Sequence, residues 1–198
     1  DSKFNGRTRK MKFDVLTLFP EMFASMQSSI IGRAIQKRII EMNLVNIRDF
    51  SKDKHKKVDD YPYGGGAGMV MRPDVVYDAY QSLPDKEAKV IYLSPQGKLL
   101  TQRKVQELSK ENHLILLCGH YEGIDQRVID EIVDEEISIG DYIVTGGELP
   151  AMVLMDAISR YVEGVIKEEA VQEESFVEGL LEYPQYTRNN TSTAIGLS

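Results

Sequence analysis

Tryptophan is absent from this chain of 198 residues, and cysteine is nearly so, Cys118 standing alone. One cysteine excludes a disulfide framework, and beside Gly119 it reads as a small apolar packing residue, as suits a reducing cytoplasm. No apolar run reaches the roughly 18 residues that a bilayer span requires, and a basic-then-apolar signal layout is missing. The expectation is a soluble cytoplasmic protein with no membrane partner. Positive charge is also short: 24 Lys and Arg stand against 31 Asp and Glu, a net charge of -7. Proteins that hold nucleic acid through its phosphates usually carry a broad basic face, so DNA is not an expected partner, and RNA contact must be local, shape-selective or shared between subunits. Neither G-x-x-x-x-G-K-[ST] nor G-x-G-x-x-G occurs, which argues against a polyphosphate ligand.

Glycine, by contrast, is placed deliberately. Four segments carry it: YPYGGGAGM (61–69), YLSPQG (92–97), CGHYEG (118–123) and SIGDYIVTGGELP (138–150). Glycine lets a backbone approach a ligand closely, so such clusters at strand ends point to loops folded around a small molecule. Beside them lie Glu122, Asp125, Asp141 and Glu148. A unit charge about 4 Å away contributes roughly 4 kcal/mol at an effective dielectric near 20, so a cationic ligand is favoured.

A 42% hydrophobic, 28% charged composition is ordinary for a globular chain, and the apolar runs give its class. Residues 12–18, 44–50, 88–94 and 113–119 read as strands whose near-continuous apolarity implies burial on both faces. Helical patterns alternate with them. Ile31, Ile35 and Ile39 repeat at i, i+4, i+8; residues 73–83 open with Pro73; 101–109 place Val105 and Leu108 inward; 148–163 carry Leu149, Met152, Val153 and Ala157 on one face. The class is α/β, a parallel sheet between helix layers. Taken alone, these patterns give an open sheet without a knot, since threaded connections are rare. The connection 51–72 is too long to be idle, and its basic cluster, Lys52, Lys54, His55, Lys56 and Lys57, is either an RNA contact or a solvated loop.

YLSPQG, CGHYEGIDQR and SIGDYIVTGGELPAM, in this order, closely resemble the bacterial tRNA (guanine-N1)-methyltransferases, the TrmD family of the SPOUT superfamily, and the likeness runs from Met11 to about Arg188. The resemblance implies a deep C-terminal trefoil knot in the α/β domain and S-adenosylmethionine as cofactor, with S-adenosylhomocysteine as product. Its sulfonium is a cation. The implied cofactor contacts are Tyr92, Leu93, Ser94, Pro95 and Gly97; Gly119, Tyr121, Glu122 and Gly123; and Ser138, Ile139, Gly140, Tyr142, Val144, Gly146 and Gly147. The implied reaction is methyl transfer to N1 of the guanosine just 3′ of a tRNA anticodon, in a homodimer whose active site joins the knot of one subunit to the linker of the other.

N1 transfer requires a base for the N1 proton and a positive donor for the charge developing on O6. The family's base and arginine match Glu174 and Arg160. The family has aspartate at the first position, so this chain differs there by one methylene, and Glu173 is an alternative. Read by residue type alone, Glu174 is one of several linker glutamates and Arg160 a partner for Asp156 at i, i+4. Glu182 matches a second acidic position, and His55, Asp59, Asp60 and Tyr63 match the segment near the target guanine. Some relatives depend on magnesium, but no ligand spacing here marks a metal site. The expected organisation is a tag over 1–10, the methyltransferase domain over 11–165, an acidic linker over 166–188, and at 189–198 a remnant in place of a helical tRNA-binding domain. Two other readings stay open: a noncatalytic binding module, and a SPOUT enzyme acting at another RNA position.

Overall fold

The structure, a computed structural model, describes residues 9–166. Five parallel strands form the main sheet: β1 (Met11–Thr17), β2 (Ile40–Asn46), β5 (Lys89–Leu99), β6 (His113–Cys118) and β7 (Glu135–Ser138). Their order is β2-β1-β6-β5-β7. Two short antiparallel strands, β3 (Asp59–Asp60) and β4 (Val70–Met71), stand apart.

The apolar strands bury both faces, as expected for a sheet covered by helices. In β6, Leu114, Leu116 and Cys118 join a core with α1 (Ser29–Gln36), α3 (Gln102–Leu108) and α5 (Glu148–Ser159). Ile115 and Leu117 point the other way, to α2 (Pro73–Gln81) and α4 (Gln126–Ile132). The result is a three-layer sandwich with the loops at the carboxyl ends of β5, β6 and β7 gathered at one end.

Three expectations need correction. The second strand is Ile40–Asn46, not 44–50; Asn46 accepts from the Arg48 amide and turns residues 47–50 into a 3-10 helix. Helix α1 stops at Gln36 because Arg38 takes φ 57, so Ile39 lies beyond it. On α5 the inward residues are Ala151, Leu154, Met155 and Ile158, whereas Leu149 and Val153 are exposed. That helix is apolar nearly all round, so periodicity alone selects no inner face. Strand β7 was not foreseen, its Glu135 and Glu136 giving it a polar look. Glu135 is held by Lys104 of α3 at 2.9 Å.

Asp14 is fully buried in β1, which is costly unless its oxygens are matched by donors. Three side chains surround it: Asn43 Nδ2 donates at 2.7 Å, His113 Nε2 lies at 2.7 Å and Lys12 Nζ at 3.1 Å. His113 also reaches Asp85 through Nδ1 at 3.1 Å. Replacing His113 by Ala should destabilise the fold by about 1–3 kcal/mol, the usual scale of one hydrogen bond to a charged group, with Asn43 and Lys12 left as the remaining partners of Asp14. Urea unfolding checks this; a midpoint and slope like those of the parent chain would show that the imidazole contributes nothing.

Candidate active site

The first wall of the site comes from an irregularity in β5. Leu93 pairs with Ile137 of β7, and Lys98 pairs with Ile137 again, so Ser94–Gly97 leave the ladder and form a loop at the sheet end. Gly97 lets the strand return: a Cβ there would sit 2.5 Å from the Ile137 nitrogen. The second wall is the turn after β6, in which Tyr121 (φ 59) and Gly123 (φ 119) adopt left-handed backbone. Gly119 leaves room for Tyr92, whose hydroxyl would otherwise meet a Cβ at 2.8 Å. The third wall is the segment after β7. Ser138 Oγ donates to the Gly140 carbonyl at 2.9 Å, and the Tyr142 ring fills the space a Gly140 side chain would need. Gly147 then donates its N–H to Gly119 O at 2.9 Å, tying the third wall to the second.

These walls enclose a cavity of about 230 Å³. Every expected cofactor residue lines it except Gly97, which packs on β7, and Gly140, which packs on Tyr142. The lining also includes Gln96, His120, Ile124, Glu136, Thr145 and Pro150, which motif reading missed. Of the four acids taken as cation-favouring, only Glu122 lines the cavity. Asp125 instead caps α4 and holds Arg127, and Glu148 is buried. Glu136 supplies a second carboxylate in their place. Burial, followed by the field of Glu136, pushes the Tyr92 phenol up to about 12, so it is neutral at physiological pH. Burial also raises the Cys118 thiol well above its ordinary value, in keeping with a packing role.

The connection 51–72 ends against this cavity. Met71 N donates to Gly123 O at 2.9 Å and Glu122 N to Met69 O at 3.0 Å, while a Cβ on Gly68 would fall on the Glu122 side chain. Asp59 and Asp60 pair with β4, Tyr63 is fully exposed, and His55 sits in an exposed turn closed on Asp53. The lysines are partly engaged: Lys52 with Asp78 at 3.0 Å and Lys57 with Asp60 at 3.5 Å. Arg160, at the end of α5, lines a separate depression of about 180 Å³ with Ser25, Ser28, Ile30 and Asp156. Glu173, Glu174 and Glu182 lie outside the described residues. Among the described residues no cluster of three or more His, Cys, Asp or Glu could hold a metal ion, and no helix is long and apolar enough to cross a membrane.

The family described as tRNA (Guanine-1)-methyltransferase TrmD matches residues 11–197. The chain belongs to this family. The tRNA (guanine-N(1)-)-methyltransferase of Ruminiclostridium cellulolyticum is 66% identical over 183 residues, covering 90% of this chain and 78% of that protein. Its counterpart in Clostridioides difficile is 56% identical over 184 residues, covering 90% and 80%. Among solved structures, the tRNA (m1G37) methyltransferase from Aquifex aeolicus superposes with a TM-score of 0.77 at 38% identity, covering 90% of this chain and 76% of that one. As in that TrmD structure, the fold here is a mixed α/β one with a mainly parallel sheet.

A valine at Gly146 of this TrmD-family chain would place its Cβ 2.2 Å from His120 Nε2, inside the wall of the cavity. Gly146→Val is therefore expected to abolish S-adenosylmethionine binding in a chain that still folds. Titration calorimetry checks this, and an unchanged affinity would separate the third loop from the ligand.

Proposed function

We propose that this chain transfers a methyl group from S-adenosylmethionine to N1 of the guanosine 3′ to the anticodon of tRNA, position 37. Methyl transfer to tRNA guanine is the activity in the names of the family and of its relatives. The observation that carries the cofactor assignment is the meeting of the three loops around one cavity. Leu93, Pro95 and Ile139 give it apolar walls, loop backbone gives it hydrogen-bonding edges, and Glu122 and Glu136 give it negative charge suited to a cation. The residues present therefore fit the group. When bound, S-adenosylmethionine supplies an electrophilic methyl on a sulfonium.

The chain's own residues do the rest. In this reading Glu174 accepts the N1 proton and Arg160 neutralises charge on O6, as the family resemblance implies. The segment 51–69 meets the anticodon loop near the target guanine, with His55, Asp59, Asp60 and Tyr63 facing RNA and Glu182 in support. Backbone ties between Met69–Met71 and Glu122–Asp125 hold that segment beside the cofactor cavity, which supports this placement. The trefoil knot and the linker over 166–188 belong to the same proposal. In support of the knot, the chain pairs β7 on the outer edge of β5 and then returns so that Gly147 packs on Gly119. A crystallographic trace with no threaded loop over 138–147 would remove it.

Incubation with labelled S-adenosylmethionine and two tRNA transcripts, carrying guanine or adenine after the anticodon, tests the activity. Label should enter the guanine transcript alone, as N1-methylguanosine. Arg160→Ala should lower transfer by about 10²-fold or more, in the range of a lost transition-state donor. Label in the adenine transcript, or at a ribose 2′-OH, would replace this reading with that of a SPOUT enzyme of another specificity.

A homodimer is proposed because Arg160 lies in a depression apart from the cofactor cavity, an arrangement that suits a site shared between subunits. The exposed apolar residues Leu149 and Val153 on α5, the helix that Arg160 ends, and exposed Ile30 in the lining of that depression support a second copy on this side. Light scattering should give twice the 22.4 kDa chain mass at micromolar concentration. A monomer alone would count against a shared site.

A further inference from the structure

Glu148 opens α5, yet it is only 1% exposed and does not line the cavity. Neither the cofactor contacts nor the proton transfer described above uses it. Its two oxygens are both engaged. Oε1 accepts from Thr17 Oγ1 at 2.7 Å, and Oε2 lies 2.7 Å from His120 Nε2. Thr17 Oγ1 in turn accepts from the Phe19 amide at 2.9 Å, and the Phe19 ring meets the His120 ring with centroids 4.8 Å apart. A closed circuit thus joins the end of β1, the turn after β6 and the start of α5.

The circuit determines more than packing. An ionised carboxylate can only accept, so the bond to Glu148 requires a proton on Nε2 of His120. His120 itself lines the cavity, between Gly119, whose carbonyl accepts from Gly147, and Tyr121, whose backbone is left-handed. Gly146 has no side chain because this pair occupies its space: a Cβ would lie 2.2 Å from His120 Nε2 and 2.7 Å from Glu148 Oε2.

We infer that Glu148 is a positioning residue for the methyl-donor site: it holds His120 in the Nε2-protonated form and pins the 119–123 turn against the start of α5. This rests on reading the cavity as the S-adenosylmethionine site. Glu148→Gln separates the role from simple bulk, because the amide keeps the shape and can still accept from Thr17. Its NH₂ group then faces Nε2, so the imidazole must carry its proton on Nδ1 or lose the bond.

The expected result for Glu148→Gln is a rise of about 10- to 100-fold in the KM and calorimetric Kd for S-adenosylmethionine, by analogy with the scale on which outer partners of metal-binding histidines act. The kcat at saturating donor and the KM for tRNA should stay near those of the parent chain. His120→Ala should weaken donor binding similarly, and the double variant should be no weaker than the worse single one, because Glu148 acts through His120. Additive losses, or a fall in kcat at unchanged KM, would overturn the inference. If Glu148→Gln fails to fold, ¹⁵N resonances of the His120 ring in the parent chain decide: a proton on Nε2 is expected, and a neutral ring protonated at Nδ1 alone would overturn it. Tight donor binding by the parent chain with unchanged affinity in Glu148→Gln would remove this inference and leave the cavity reading intact. No binding by the parent chain would remove both.

Discussion

Ile137 is paired twice by the same strand, and the cavity exists because of it. Strand β5 reaches β7 at Leu93, leaves the ladder for four residues, and comes back to the same partner at Lys98. A ladder that paired continuously would carry Ser94, Pro95 and Gln96 along the sheet edge and leave no loop to face the turn after β6. Proline at 95 suits the detour, since it offers no N–H to a ladder. The return is sterically severe, and only a residue without a Cβ fits between Glu136 and Ile137. A local fault in pairing is thereby turned into a wall.

Two functions converge on the turn after β6. Its outer side is bonded to Met69 and Met71, at the end of the segment expected to face RNA, and its inner side lines the cavity proposed for the cofactor. A Cβ added at Gly68 would fall 2.3 Å from the Glu122 side chain, so the end of the 61–69 loop and the turn are packed against each other with no room for a larger residue.

The loops were legible in the sequence because clustered glycine marks close approach or left-handed backbone, and three of the four glycine segments line one cavity. Glycine did not reveal what approaches. At Gly97 and Gly140 it is the protein's own backbone or ring, and only coordinates separate that from a ligand. Charge was read less well. Glu148 and Asp125 sit beside glycines in sequence but are consumed by Thr17, His120 and Arg127, whereas Glu136, in a strand too polar to be recognised, lines the site. The inner face of α5 was misread for a related reason, since a helix with apolar residues on opposite sides has no single moment to follow. Arg160 was found by family likeness, its residue type alone pointing only to a helix-surface ion pair.

Strand β1 carries one more consequence of these buried polar groups. A strand covered on both faces has no alternation of apolar and polar residues, so hydrophobicity alone cannot tell one alignment with its neighbours from the next. Asp14 and Thr17 can. They point to opposite faces of the sheet, and each finds its donors or acceptor only when Asp14 stands opposite Asn43 and Thr17 reaches the start of α5. Sliding by a single residue would turn a carboxylate into one oily layer and a hydroxyl into the other, with nothing to meet either. The strand is keyed at both ends, like a lock with two wards, so that one alignment satisfies both of its buried polar groups.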